Sequence, residues 1–443
     1  MLAGRSLYGQ VWDLQQPLVY LWAAGLAAVT RGWHPGAQLI LTAQALAATA
    51  AVYLLAERLG GRPSLSALVF GLVTALPLTE GDVLTAEMIG LPLQLLGFWL
   101  GVTGGTRRAA AGGALAAAAG LAQPGLLLQG LALAWFAVLS GKPLRLAPLA
   151  AGAGGVLLLA LLWLGAAGLL ADYGRLLDQE GAYLAWANGG RELAPIAGLL
   201  RIVPIAAGLF GGLSIGLEQR TPAARLHGAW LPLAVLSAVL SPRGFMHYGL
   251  LAVAPLALLL GLWLTPRLFV PVAVGAVLAI QAMLFLPRLE MTLLDRWPLP
   301  ALSYAPIGWT RLPAYYRGWY DRVVGVTSER DYERGFPGDP GLDEEAAAAL
   351  RVDGELLVWG DRPWLYAVSG RLPAGRYVAH DSAWRLQPRG AAEELAALTN
   401  ARPEYVVVLE PPDAAVRRQL GRDYDRLSFL RVGRWEIYAL HSG

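Results

Sequence analysis

Three carboxylates stand close together at the beginning of one apolar segment of this 443-residue chain. Glu80 and Asp82 lie before the segment, and Glu87 lies inside the apolar run that starts at Val83. Because a carboxylate is costly to place in an apolar environment, Glu87 is the strongest functional candidate of the three. It would act as a general base for a hydroxyl group, or bind a cation or another polar ligand. The alternative is that all three are solvated at a helix start, where the helix dipole favours negative charge.

A second cluster, residues 242–248 (PRGFMHY), combines a cation with a histidine at helical spacing. Arg243 and His247 are four residues apart, so they can share one face of a helix. Arginine binds a phosphate group in bidentate fashion, and a histidine beside it adds another donor. The cluster, with Tyr248 next to it, therefore predicts a phosphate site. The alternative for Arg243 is that it only reaches the lipid headgroups from a helix end.

A third polar cluster lies within residues 4–20. Asp13 and Gln16 come just before Pro17, where a short apolar stretch begins, and Tyr20 lies one helical turn into that stretch. Asp13 is therefore either a functional carboxylate or only the N-terminal cap of a helix. The segment alone does not decide between the two.

The composition is that of a membrane protein. Hydrophobic residues make up 56% of the chain and charged residues only 15%, whereas soluble proteins carry about a quarter of charged residues. The net charge of +3 is small and scattered, which argues against nucleic acid as a partner. The chain has no cysteine, so it forms no disulfides, and its histidines lack metal-ligand spacing. We predict no metal site from these residues; a divalent cation that accompanies the substrate stays open.

Ten apolar segments approach the length of about 20 residues that a helix needs to cross a bilayer. Residues 17–30 form a shorter apolar stretch, which predicts an interfacial or re-entrant helix. The Ala/Gly-rich segment 109–122 should pack closely on its neighbours through its small residues. The predicted spans are approximately 38–56, 64–79, 83–103, 109–122, 125–140, 146–171, 195–217, 226–241, 246–264 and 267–286.

The basic residues orient these spans, since Lys and Arg collect in short cytoplasmic loops. If residues 17–30 do not cross, all loops with basic pairs fall on one side, beginning with the loop of Arg58 and Arg62. The opposite loops hold the three polar clusters and the mixed segment 172–192. The clusters and the C-terminal part are therefore predicted to be extracytoplasmic. The same alternation of loops between the two sides places residues 1–37 outside. We therefore expect a further span ahead of them.

The composition changes after Arg288 to Pro, Trp, Tyr and charged residues. From about residue 353, strand and helix patterns alternate, which predicts a small α/β domain. The predicted fold is an all-α polytopic membrane bundle of about ten spans with a C-terminal extracytoplasmic α/β domain. Its parts are an outer loop with a juxtamembrane or re-entrant helix (1–37), the transmembrane domain (38–287), an irregular aromatic-rich connector (288–352) and the α/β domain (353–443). Within the last, we predict strands at 355–359, 376–379 and 404–409, helices at 361–369, 391–399 and 413–422, and a hairpin at 429–440.

The three clusters, in this order, resemble the GT-C superfamily of membrane glycosyltransferases, specifically the bacterial branch related to protein O-mannosyltransferases and aminoarabinose lipid A transferases. LAGRSLYGQVWDLQQPLVYLWAA looks like that family's first periplasmic loop, with Gln16 in place of the first proline of a Pro-Pro-Leu-x-Tyr motif. LTEGDVLTAEMIGLPLQLLGFWL resembles its second outer loop and has Glu87 where members have Asp or Glu. AGLAQPGLLL is similar to a segment that often reads Lys-Pro, so Gln123 is a departure.

Two further segments carry the resemblance toward the C-terminus. PRGFMHYGLLAVAPLALLLG is similar to an Arg-x-x-x-His-Tyr motif followed by a proline-broken span. LLVWGDRPWLYAVSGRLPAGRY resembles the opening of the soluble domain in many members. The resemblance thus covers nearly the whole chain.

The resemblance implies an enzyme of the bacterial cytoplasmic (inner) membrane, which spans the membrane several times. It would transfer a sugar, with inversion, from a polyprenyl-phosphate donor to a lipid, glycan or protein acceptor at the outer face. Glu87 and Asp13 would be the catalytic carboxylates, and Arg243 and His247 would bind the donor phosphate. The other positions of the matching segments would contribute to substrate binding: Tyr8, Gln16, Tyr20, Glu80, Asp82, Gln123 and Tyr248.

Two other interpretations stay open from the sequence. A transporter or flippase of lipid-linked sugars would also place charges at the membrane, although such proteins often show inverted repeats and none is visible. A catalytically inactive scaffold of the same family is the second. The family keeps an acidic residue directly after a first span, and that residue would precede Met1. The resemblance and the charge parity therefore both predict an additional N-terminal portion.

Overall fold

The chain divides into two compact units. The first, here called the bundle unit, comprises Gln15–Trp163 and Leu184–Leu299. The second, here called the sheet unit, comprises Met1–Leu14, Leu164–Tyr183 and Pro300–Gly443. The structure is a computed structural model. It describes residues 7–8, 11–12, 15–30, 34–75, 85–189, 221–240, 246–263, 312–328, 331–332, 341–350, 353–360, 362–378, 390–427 and 435–441.

Nine of the first ten described helices follow apolar segments of the sequence, and α8 is the exception. The short helix predicted at 17–30 is α1, with the same bounds, and eight of the ten predicted spans coincide with a helix. The predicted spans 195–217 and 267–286 lie outside the described residues. The helices are α1 (Pro17–Thr30), α2 (His34–Leu59), α3 (Pro63–Thr74), α4 (Ala86–Thr103), α5 (Thr106–Gly120), α6 (Pro124–Leu139), α7 (Leu146–Ala166), α8 (Leu170–Gly189), α9 (Pro222–Leu240) and α10 (Leu250–Trp263).

Three of these helices are long and apolar enough to cross a membrane: Leu39–Leu59 within α2, α4, and Pro143–Ala166, which includes α7. Four more are apolar but shorter, namely α1, α3, α6 and the segment His247–Leu262. The chain is therefore mostly helical with membrane-spanning character, which indicates membrane association. A bundle of about ten spans stays a prediction, because α5 and α9 are not among these apolar helices.

Glycine brings the helices of the bundle unit close together, as the small residues of segment 109–122 predicted. A Cβ at Gly113 of α5 would overlap the Leu149 carbonyl of α7, and a Cβ at Gly152 of α7 would overlap the Ala110 carbonyl of α5. Each glycine therefore lies against the other helix's backbone. Such close approach increases van der Waals contact, which is a principal driving force of helix association in a membrane.

A four-stranded sheet forms the centre of the sheet unit, with strand order β1-β2-β4-β3. β1 pairs with β2 in parallel, whereas β4 pairs antiparallel with both β2 and β3. The strands are β1 (Leu356–Trp359), β2 (Tyr405–Val408), β3 (Tyr424–Arg426) and β4 (Glu436–Leu440). The helices are α11 (Leu312–Val323), α12 (Gly341–Ala349), α13 (Trp364–Ser369), α14 (Gly390–Ala396, continued by a π-helical turn Ala397–Ala401) and α15 (Ala414–Asp423).

Helices cover both faces of this sheet, which explains why its two parallel strands are apolar at every position. Leu356 and Val358 of β1 face α12 and α13, where they pack on a cluster that includes Ala346 and Leu365. Leu357 and Trp359 face the opposite side, together with residues of the π-helical turn and α15. The predicted α/β alternation therefore produces three layers, helix, sheet and helix.

Three local predictions differ from the structure. The connector 288–352 was expected to be irregular, but its described part contains the helices α11 and α12. The mixed segment 172–192 was expected as a loop, and its described part continues helix α8 to Gly189. No ladder forms in the described part of the strand predicted at 376–379, where Tyr377 makes only an isolated bridge to Trp12. α8 and α11 mix aromatic with charged residues, so neither has the continuous apolar run by which the spans were predicted.

Candidate functional site

Glu87, which is buried, and Gln123, which is partly exposed, form a pair at one end of the bundle unit. Glu87 lies in the first turn of α4 with 1% of its surface exposed, so it is not solvated at a helix start. The Gln123 Nε2 donates a hydrogen bond of 2.6 Å to Glu87 Oε1. Two residues that the sequence put forward separately thus belong to one site, in which a neutral amide meets a carboxyl group.

The starts of α4 and α6 hold this pair in place. Thr85 caps α4, because its hydroxyl accepts a hydrogen bond from the Met88 N–H at 3.2 Å. Gln123 is the N-cap of α6, and Pro124 follows at the first helical position, where its missing N–H has no cost. Each helix start therefore fixes one member of the pair.

α4 and α6 run in the same direction and touch directly below the pair. A Cβ at Gly90 of α4 would overlap the Leu126 side chain of α6, so glycine lets the two helices approach closely here. The Gln94 Nε2, one turn farther along α4, donates to the Leu126 carbonyl at 3.3 Å. The Glu87–Gln123 pair is consequently tied to the packing of the two helices.

Other helix starts lie at the same end of the bundle unit. The Leu18 N–H of α1 donates to the Leu121 carbonyl, two residues before Gln123. A Cβ at Gly125 of α6 would lie 3.4 Å from the Leu251 side chain in the first turn of α10. The N-termini of α1, α4, α6 and α10 therefore converge, and each presents the positive end of its dipole.

His247 and Tyr248 belong to this end as well. They lie in the 3₁₀ turn Met246–Gly249, which leads directly into α10. Their rings are 4.7 Å apart, centroid to centroid, in an edge-to-face arrangement, and both side chains are partly exposed. They therefore lie, partly exposed, at the same end of the bundle unit as the start of α10.

The predicted site residues of the N-terminal segment fall into different units. Gln16 is buried and Tyr20 is partly buried, at the start of α1 in the bundle unit. Tyr8 belongs to the sheet unit, where it is fully buried against Trp12 and Tyr173. The other predicted site residues lie outside the described part of the chain: Asp13, Glu80, Asp82 and Arg243.

Where the structure describes them, the basic residues of the predicted cytoplasmic loops lie at the opposite end of the bundle unit from Glu87. Arg145 lies against Gly104, just past the C-terminus of α4, and the Arg62 N–H donates to the Gly261 carbonyl near the C-terminus of α10. The positive charges predicted in alternate loops thus lie away from the end of the bundle unit that contains Glu87. They are Arg58, Arg62, Arg107, Arg108, Lys142, Arg145 and Arg225.

The bundle unit also buries polar side chains that no sequence motif singles out: Gln94, Gln129, Trp230 and His227. Gln94 lies seven residues after Glu87, on the same side of α4, and that spacing was the only available signal. Its partner on α6 is 35 residues away in the chain, and such a pairing cannot be deduced from one sequence.

The sheet unit has its own aromatic cluster around Arg376. The guanidinium carbon of Arg376 lies 5.0 Å from the ring centroids of Trp12 and Tyr377, and its Nε is 2.8 Å from Glu393 Oε2. The Trp12 N–H also donates to the Arg376 carbonyl at 2.7 Å. This cluster binds the N-terminal segment to the sheet unit.

Among the residues that the structure describes, no group of three His, Asp or Glu side chains could hold a metal ion. In comparisons with known proteins, no family model matches the chain, and no curated protein sequence matches it. The class that the described geometry defines is a helical, membrane-associated protein in which a buried carboxyl group accepts a hydrogen bond from a side-chain amide, where several helix starts converge.

Proposed function

We propose that this protein is a membrane glycosyltransferase, which transfers a sugar from a polyprenyl-phosphate donor to a lipid, glycan or protein acceptor at the outer face of the cytoplasmic membrane. The observation that carries the proposal is the buried Glu87, held by Gln123 at the end of the bundle unit that also contains His247 and Tyr248. These positions also lie in the motifs by which the sequence resembles the GT-C superfamily.

The chemistry of such a transfer matches the groups at this end. The acceptor hydroxyl has to lose a proton as it attacks the sugar, and a carboxylate such as Glu87 takes up that proton. The leaving group is a phosphate, whose growing negative charge is stabilised by donors and by helix N-termini. His247 and the N-terminus of α10 supply both, and Arg243 is assigned to the same phosphate from the sequence.

Charge segregation supports the side of the membrane on which this takes place. Basic residues mark the cytoplasmic ends of membrane helices, and the described loop residues Arg62 and Arg145 lie at the end opposite to Glu87. The Glu87 end would then face the outside, where lipid-linked sugars meet acceptors of the cell envelope.

The test uses the purified full chain in lipid nanodiscs, with polyprenyl-phosphate hexoses and pentoses labelled in the sugar and a bacterial membrane lipid extract as the acceptor. We expect wild type to release polyprenyl phosphate and to label the extract. Glu87→Gln should lower the rate of transfer about 100-fold or more, as expected for the loss of a general base, while donor binding is retained. Glu57→Gln is the matched control, because Glu57 is exposed on α2.

Two results would overturn the proposal. One is a Glu87→Gln variant that transfers sugar at the wild-type rate. The other is a wild-type chain that moves labelled donor across vesicles without ever releasing polyprenyl phosphate, which would identify a transporter.

A further inference from the structure

Gln129 is the centre of a buried polar contact between four helices of the bundle unit. Its Oε1 accepts hydrogen bonds from Trp230 Nε1 of α9 at 2.8 Å and from Gln94 Nε2 of α4 at 3.3 Å. Its Nε2 donates to the Leu251 carbonyl of α10 at 3.2 Å. Gln94 and Gln129 both have 0% of their surface exposed. Both polar atoms of Gln129 have partners, as expected for a buried amide, so its contact is specific to this packing of the helices.

A proline explains why Gln129 donates to this particular carbonyl. In a regular helix the Leu251 carbonyl would accept from the N–H of residue 255, but Pro255 lies inside α10 and has no N–H. The Gln129 amide takes the place of that missing donor. Gln129 thereby fixes α10 at Leu251, about one turn after His247 and Tyr248 and one turn before Pro255.

The directions of both amides follow from their partners. Trp230 Nε1 can only donate and the Leu251 carbonyl can only accept, so the Gln129 amide has one orientation. Gln94 must then turn its NH₂ toward Gln129 Oε1 and the Leu126 carbonyl. The network therefore has one arrangement and holds α4 and α6 at a fixed offset along their axes.

That offset is the one that brings Glu87 to Gln123. Glu87 and Gln94 lie two turns apart on α4, which is about 10 Å along the axis, and Gln123 and Gln129 are spaced similarly on α6. Gly90 lies between the two levels, in contact with Leu126. A shift of α6 against α4 at the level of Gln94 and Gln129 would change the 2.6 Å hydrogen bond between Gln123 and Glu87.

We propose that Gln129 is a positioning residue for the Glu87 site: by joining Gln94, Trp230 and the Leu251 carbonyl, it sets the geometry of the Glu87–Gln123 pair relative to the start of α10. The inference rests on the proposed function of Glu87. Gln129 touches no substrate in this scheme and acts through the placement of helices.

The experiment measures kcat and KM of sugar transfer from a polyprenyl-phosphate donor for the full chain in nanodiscs. Gln129→Met preserves the length of the side chain and removes its polar atoms. We expect kcat to fall about 10- to 100-fold, as is typical when reacting groups are displaced by about 1 Å, with KM for the donor within about twofold of wild type. Gln44→Met on α2 is the matched control, and it should keep the wild-type kcat. If Gln129→Met does not fold, Gln94→Met serves as the second variant and should show the same pattern.

A double variant separates positioning from a general loss of structure. If Gln129 acts through Glu87, Gln129→Met should cause no further loss in a Glu87→Gln background. Two results would overturn the inference. One is a double variant in which the losses of kcat from the two substitutions multiply, and the other is a Gln129→Met variant with wild-type kcat.

The two proposals fail in different ways. If Glu87→Gln transfers sugar at full rate, or if the wild-type chain transfers none, the proposed function and this inference both fall. If Glu87→Gln is inactive while Gln129→Met is normal, only the role of Gln129 is lost.

Discussion

The side-chain amide of Gln123 makes two different contacts with its two ends. Its Nε2 donates to Glu87 Oε1 at 2.6 Å, and its Oε1 accepts from the Gly125 N–H at 3.4 Å. One residue thus caps α6 and orients the carboxyl group of α4.

The first prediction concerns the stability of this pair. Gln123→Leu should lower the free energy of unfolding by about 1–3 kcal/mol, because it leaves a buried carboxyl group without its donor and α6 without its cap. Thermal unfolding in detergent, followed by tryptophan fluorescence, measures the change. Gln44→Leu makes the same substitution on α2 and should have a smaller effect. Equal effects of the two variants would contradict the assigned hydrogen bond.

The second prediction concerns the crossing of α5 and α7. Gly152→Ala should destabilise the bundle, by about 1–3 kcal/mol as for other overpacked sites, because the new Cβ would overlap the Ala110 carbonyl. Gly154→Ala on the same helix is the control: nothing lies within 4 Å of its Cβ position, so alanine should be neutral or slightly stabilising. Thermal midpoints of the two variants give the comparison. A Gly152→Ala midpoint at or above that of Gly154→Ala would show that the helices are farther apart.

The third prediction concerns the docking of the N-terminal segment on the sheet unit. The Arg376 guanidinium lies over the Trp12 ring, so Trp12→Leu and Arg376→Met should be coupled by about 0.5–1 kcal/mol in a double-mutant cycle. Limited proteolysis provides a second readout, since either variant should expose the segment around Trp12 to cleavage. Arg371 stacks on Tyr405 instead, so Arg371→Met should add to Trp12→Leu without coupling.

The fourth prediction is a pH dependence in the sheet unit. Burial raises the pKa of Tyr377 from 10.0 to about 12, against the opposing effect of Arg376. Because the folded state favours the neutral phenol, its contribution to stability is complete below pH 10 and is lost as the pH rises from about 10 to 12. Tyr377→Phe should therefore reduce the alkaline loss of stability.

Denaturant unfolding at several pH values tests this. Wild type and Tyr377→Phe should differ by a constant amount between about pH 7 and 9, where the phenol is neutral in both states. Part of the alkaline loss should remain in the variant, because burial also raises the pKa of Tyr424. If both proteins lose stability to the same extent above about pH 10, Tyr377 is not the group responsible.

Much of the fold could be predicted because it depends on local patterns. Apolar runs between polar breaks placed α1 and eight of the predicted spans, and strand and helix alternation placed β1, β2 and α15. The helix α11 was missed, since its aromatic and charged residues do not form an apolar run. The side of the membrane on which each end lies remains a prediction.

The candidate site was only partly predictable, because the local sequence indicates which polar residues are unusual but not which residues they contact. Glu87 stood out because a carboxylate in an apolar run is unfavourable wherever the chain folds. His247 and Tyr248 stood out by their spacing from Arg243. Gln123 was noticed only as a departure from a family pattern, and nothing in the sequence indicated that its amide would meet Glu87.

What the sequence alone determined is the set of apolar helices, their order, and the few polar residues that have to be explained. These follow from the balance of each segment between water and an apolar environment, which depends on its own residues. Tertiary structure decided that Gln123 meets Glu87 and that Gln129 joins Gln94, Trp230 and the Leu251 carbonyl. Those contacts link residues 35 to 122 positions apart, and hydrogen bonds act only at about 3 Å, so packing of the helices had to bring the partners together.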